Sequence, residues 1–249
     1  MSWLTQTLTS TIGRKLIMSL TGLFLISFLI VHLAGNLQLF KSDGGYAFNT
    51  YTVFMTSNPI IKTVSYVLYT SILIHVIVSI ALTIKNKKSR PQGYAGTAAD
   101  KGSTWSSRNM GILGTIVLIF LAVHLQNFWF QMKFGYTPYA KYELVEPGVY
   151  SKTELASDIS DSIKKEDGVY KDLDRMVKEA FKNVILVALY VIGMLGLAFH
   201  LAHGFQSAFQ TIGINHNKYT PFIKAIGIGI AIIIPALFCT MPIYFFMVN

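Results

Sequence analysis

Five apolar runs constrain this chain more than any other feature: Leu16–Leu39, Thr63–Ile84, Met110–Gln131, Asn183–Gln206 and Pro221–Val248. About 20 residues rising about 1.5 Å each cross the hydrocarbon layer of a bilayer, and every run reaches that length. The predicted fold class is therefore all-α, an integral membrane bundle of five transmembrane helices forming one domain over residues 1–249. The first run is too long for a cleavable signal, and no small-residue cleavage site follows it. Composition agrees. Charged residues make up 13% of the chain, about half the ~25% usual for soluble domains.

The net charge of +9 could suggest a nucleic-acid partner, but the basic residues gather at the edges of the apolar runs. Arg14 and Lys15 precede the first run. Lys85, Lys87, Lys88, Arg90, Lys101 and Arg108 fill the connection between the second and third. Cytoplasmic loops carry the excess of Lys and Arg, so this asymmetry places the N-terminus in the cytoplasm and the C-terminus outside. The expected location is a bacterial cytoplasmic membrane, with lipid and not nucleic acid as the surroundings. A single cysteine, Cys239, excludes an internal disulfide, a cysteine-ligated cluster and covalent haem attachment through C-x-x-C-H.

Between the runs, Trp3 reads as an interfacial anchor. Gly44-Gly45 reads as a turn, and Asn58-Pro59 as the start of the second helix. The loop 85–109, with Pro91, reads as irregular. Residues 133–182 are the one sizeable segment outside the runs. Alternating charges from Thr153 onward, with Leu155, Ile159, Ile163, Leu173 and Val177, predict one or two amphipathic helices capped by Ser157 or Asp172. Pro235 and Pro242 predict a kinked fifth helix, and that helix carries no histidine.

Each of the first four runs carries histidine: His32, His75 and His124 singly, and His200 with His203 in the fourth. An ionisable residue within a span is costly and marks function by default. With the N-terminus inside, His32 lies about 7 Å and His124 about 5 Å outward of their helix midpoints. His75 lies about 2 Å and His200 about 8 Å inward of theirs. Two histidines in each half of the bilayer suit two bis-histidine haems of b type, His32 with His124 and His75 with His200. Four of the five helices would then enclose the two haems. Gly22 and Gly114 each precede a histidine by ten residues, about 15 Å of rise, which sets them level with the other pair. A glycine there either gives a porphyrin clearance or allows close helix packing. His203, about 13 Å inward, could be a ligand, a propionate partner or a polar interface residue.

The stretches TGLFLISFLIVH (Thr21–His32) and GTIVLIFLAVHL (Gly114–Leu125), with His200 followed by Gly204 and Gly213, resemble a known family. It is the single-chain, five-helix dihaem cytochrome b anchor of succinate:quinone oxidoreductases and quinol:fumarate reductases. The likeness covers the chain apart from residues 133–182, and its H-x3-G-x8-G pattern selects His200 over His203. The resemblance implies partner subunits carrying covalent FAD and iron–sulfur clusters on the cytoplasmic side. It also implies electron transfer from succinate through the inner and then the outer haem to menaquinone or another quinone. This chain alone would perform no succinate chemistry and holds no catalytic residue. A fumarate reductase would run the flow in reverse. Another quinone-linked dihaem cytochrome b, such as a hydrogenase or formate dehydrogenase anchor, is the nearest alternative.

Neutral imidazole ligands need an acceptor for their second N–H. One turn before each histidine, only His75 has a hydroxyl, Ser71. The others have Phe28, Phe120 and Gly196 and would depend on backbone carbonyls. The sequence departs from the family at Ala198, where some members carry glutamate, so no proton route is supported there. Asp43 is the only carboxylate in the first outer connection, and the quinone residues stay open. Arg14, Lys15 and Arg108 lie where propionates would be, but topology alone accounts for them. A transporter or proton channel would need midplane acidic residues and broken helices, and none of the five runs contains Asp or Glu. A cofactor-free structural anchor would leave four buried imidazoles without a purpose.

Overall fold

The computed structural model describes Gln6, residues 9–89 and residues 104–248. Its five long apolar helices are Thr11–Phe40, Pro59–Lys88, Met110–Phe134, Val184–Thr211 and Thr220–Val248, of 25 to 30 residues. The chain is a multi-pass helical membrane protein. Trp3, Arg90, Pro91 and Lys101 lie outside the described residues.

Local chemistry fixes the helix ends. Ser10 Oγ accepts the Gly13 amide at the start of the first span. Asn58 Oδ1 accepts the Ile60 amide at 2.9 Å, and Asn183 Oδ1 accepts the Ile185 amide at 2.9 Å, opening the second and fourth spans. The fourth span closes at Gly213, whose φ of +88° suits a residue without a Cβ. The Ile214 amide then reaches back to the Phe209 carbonyl at 3.0 Å. Lys85, Lys87 and Lys88 do not lie in a loop. They form the last turn of the second span, where cations face the carbonyl end of the helix dipole. Beyond the residues left undescribed, Trp105–Arg108 is a single helical turn capped by Thr104. The fifth span runs without interruption through Pro235 and Pro242. Within the third span, Leu125–Phe130 is π-helical, beginning one residue after His124.

The chain divides into two compact units. One comprises residues 1–30, 65–118 and 193–236, and contains His75, His200 and His203. In it the third and fourth spans approach closely at Gly196, where a Cβ would come within 2.7 Å of Ile116 Cγ2. The other unit comprises residues 31–64, 119–192 and 237–249, and contains His32 and His124.

The second unit also carries a module that differs from expectation. Residues 133–182 hold β1 (Tyr139–Glu146), β2 (Val149–Leu155) and β3 (Val169–Lys171), antiparallel in the order β2-β1-β3. Only Leu173–Ala180 is an amphipathic helix. Asp172 caps it by accepting the Arg175 amide, whereas Ser157 begins no helix. The apolar positions 155, 159 and 163 fit a helical period. Yet Leu155 pairs with Tyr139 across the hairpin, and strand pairing overrides the local period.

This module is locked to a surface helix, Tyr46–Ser57, in the connection between the first and second spans. Asn49 is fully buried at the junction. Its amide donates to Tyr142 Oη (2.9 Å) and Asp172 Oδ1 (3.0 Å), and its carbonyl accepts the Asp174 amide (3.0 Å). Two buried carboxylates complete the network, Asp172 with Lys152 and Asp174 with Lys178, both at 2.8 Å. Gly45, at φ +89°, leaves room for the Asp174 carboxylate, which a Cβ would meet at 2.5 Å. Burial holds the Asp174 carboxyl above the usual carboxylate range. At the edge of the network Tyr46 stacks on Tyr150 with 3.6 Å between centroids. Its phenol is pushed up to about 12 by the hydrogen bond with Tyr150 and by burial.

Candidate functional site

The four single-span histidines meet in two pairs. His32 and His124, from the first and third spans, have ring centroids 5.8 Å apart with planes at 86°. His75 and His200, from the second and fourth, are 6.4 Å apart at 62°. These are the pairs that helix depth predicts. His203 joins neither of them. His216 is exposed in the loop after the fourth span, where its Nδ1 accepts the Lys218 amide.

The His32–His124 pair is enclosed by aromatic rings. Phe238 of the fifth span stands 5.6 Å from His32. Phe120, Phe128 and Tyr190 stand 5.7, 5.5 and 6.0 Å from His124. His124 Nδ1 lies 3.3 Å from the Tyr190 hydroxyl, which comes from the fourth span and not from a carbonyl one turn back. Tyr190 is 6% exposed, and a buried phenol needs such a partner. Asn36, also in this unit, donates from its side chain to the His32 carbonyl at 2.7 Å.

The His75–His200 pair has glycine where the other has rings. A Cβ on Gly22 would stand 3.5 Å from His75 Cε1, and one on Gly114 would stand 3.8 Å from His200 Cε1. The glycines ten residues before His32 and His124 thus face the other two histidines, as the helical rise requires. The hydroxyl beside His75 is Thr21, not Ser71. Thr21 Oγ1 lies 3.0 Å from His75 Nδ1 and donates its own proton to the Ile17 carbonyl at 2.8 Å. Thr21 Oγ1 is thus a hydrogen-bond partner of the His75 ring at Nδ1. His200 Nδ1 is buried without a hydrogen-bond partner. An unsatisfied buried polar atom costs about 1–3 kcal/mol, and this nitrogen is available to a further partner.

Each site is a two-imidazole pair. Among the described residues no three or more His, Cys, Asp or Glu side chains group to hold a metal ion. Each pair thus brings two imidazoles from different spans to within 5.8 or 6.4 Å of one another, a donor set that a haem iron would accept. Asp43 caps the first turn of the surface helix. Its two oxygens accept the Gly45 and Ala47 amides, each at 3.0 Å, and start the surface helix.

Sequence reasoning missed Tyr190 and Thr21 as imidazole partners. A tyrosine inside an apolar run and a threonine beside the facing glycine were the available signals. No family model, curated protein or solved structure matches this chain.

Proposed function

We propose that this chain is the dihaem cytochrome b anchor of a succinate:quinone oxidoreductase, carrying electrons from an iron–sulfur partner to a quinone in the bilayer. The observation that carries this reading is the pair of imidazole pairs, each drawn from two different spans with ring centroids 5.8 and 6.4 Å apart. His32 and His124 would hold one haem, and His75 and His200 the other. The resemblance of Thr21–His32, Gly114–Leu125 and His200–Gly213 to that family supplies the particular complex, together with a flavoprotein and an iron–sulfur partner on the cytoplasmic side. Quinol:fumarate reductase uses the same parts with electrons flowing the other way.

Haem, when bound, supplies reversible one-electron chemistry. The chain's residues set its surroundings. Thr21, at hydrogen-bond distance from His75 Nδ1, would hold the ring so that Nε2 serves as the ligand atom. Tyr190 has the corresponding role at His124 Nδ1. Phe120, Phe128 and Phe238 keep water from the His32–His124 pair, while Gly22 and Gly114 leave the faces beside His75 and His200 open to a flat macrocycle.

The test is a dithionite-reduced minus oxidised spectrum of the purified chain with haem counted per polypeptide. Two b-type haems are expected, and their absence overturns the proposal. Co-purification with flavin- and iron–sulfur-bearing subunits, and succinate-dependent reduction of the haems in that complex, test the assignment to this class of enzyme.

A further inference from the structure

Where the sheet module meets the membrane edge, the second unit contains a cavity of about 370 Å³ that plays no part in the proposed electron path. Its walls come from the surface helix, the end of the third span and the module. Val53 and Thr56 lie just before Pro59, the first residue of the second span, and Met132 lies in the last turn of the third. The cavity therefore sits where two spans leave the apolar layer, at the level of lipid headgroups.

Its polar lining is dominated by Lys164, Lys165 and Lys171, against one carboxylate, Glu166. Glu166 is engaged by Lys141 at 3.4 Å, and Lys164 by Asp161 at 2.9 Å. Among the described residues, neither Lys165 nor Lys171 meets a carboxylate. The Lys171 ammonium donates only to the Met132 carbonyl. Burial, with Lys133 and Lys164 close by, depresses its affinity for the proton. Lys165 and Lys171 thus bring ammonium groups to the cavity that no carboxylate among the described residues neutralises.

We infer that this cavity binds a phosphate group, and that its occupant is the phosphodiester headgroup of an anionic membrane phospholipid. Lys165 and Lys171 would be its main contacts. Beside the cavity, Phe54, Ile60 and Phe134 are 55%, 74% and 69% exposed, an apolar skirt along which acyl chains can lie. Compact ammonium groups suit a phosphate as point charges, and cationic side chains at the membrane surface attract anionic lipid.

The experiment is native mass spectrometry of the full chain in detergent, titrated separately with phosphatidylglycerol, phosphatidylcholine and inorganic phosphate. Phosphatidylglycerol is expected to bind more tightly than phosphatidylcholine, and Lys165→Gln/Lys171→Gln should weaken it by about tenfold or more. Lys218→Gln/Lys224→Gln, outside the cavity, should leave it unchanged, and Lys165→Arg/Lys171→Arg should retain it. Haem content and thermal unfolding check that each variant is folded. Equal phosphatidylglycerol binding by the glutamine variant and the parent overturns the proposal. Inorganic phosphate that binds at these lysines and displaces the lipid overturns the lipid as occupant and leaves a free phosphate site.

Discussion

The two histidine pairs are built from opposite materials. His32 and His124 sit among aromatic rings, in the unit that also carries the sheet module. His75 and His200 sit between glycines, with one threonine hydroxyl and one orphaned ring nitrogen. The first pair packs against side-chain rings, whereas the second packs against backbone that carries no Cβ. The aromatic pair is also tied to the module. Phe181, next after the helix Leu173–Ala180, packs 5.1 Å from Tyr190 and 5.9 Å from Phe128. A disturbance of the module can therefore reach His124, and among the described residues the unit of the glycine-lined pair carries no such module.

The largest effect expected is loss of a whole cofactor. His200→Ala should lower the haem count from two to one, while His203→Ala should leave two. The reverse result would move the ligand to His203 and break the pairing seen at 6.4 Å. Next is Asp172→Ala, which leaves Lys152 without its buried partner and removes a helix cap. It should lower the opening free energy of β1 and β3 by about 3 kcal/mol, read by hydrogen exchange. Haem loss should follow at the His32–His124 pair alone; equal loss at both pairs would refute the asymmetry.

Thr21→Val and Tyr190→Phe test the two imidazole partners separately. Each should weaken haem retention at its own pair by about 10–100-fold, measured by haem transfer to an acceptor protein. A variant that affects the other pair instead would show that the hydroxyls do not act where they are placed. The smallest effect concerns Asp174. Its carboxyl is held above the ordinary range, so the folded module favours the protonated form. The stabilisation is fully present below the unfolded carboxylate value and is lost as pH rises through the raised one. Asp174→Asn should flatten that slope in hydrogen exchange of Leu173–Ala180 and leave both haems in place.

The spans were legible because hydropathy is a local property: twenty apolar side chains exclude every soluble alternative at once. The histidine pairing was legible for a similar reason, since a fixed rise per residue turns sequence position into depth. Gly22 and Gly114 followed from the same arithmetic. The partners of the imidazoles were not legible in this way. Ser71 stands one turn before His75, but Thr21 of another helix supplies the hydroxyl, because helix rotation decides which side chains face each other. The sheet was illegible for a related reason. Tyr139 pairs with both Leu155 and Lys171, and nothing in the intervening charges announces that meeting.

By itself, then, the sequence determined the number of membrane-length helices, the position of each imidazole along its helix and which histidines could pair. All of these depend on one helix at a time. The tertiary structure decided that one pair is walled by rings and the other by glycines, that Thr21 and Tyr190 stand against the ring nitrogens, and that Asn49 locks a sheet to the connection between the first two spans. Each of those depends on side chains that are distant in the chain reaching hydrogen-bond distance, which only packing can bring about.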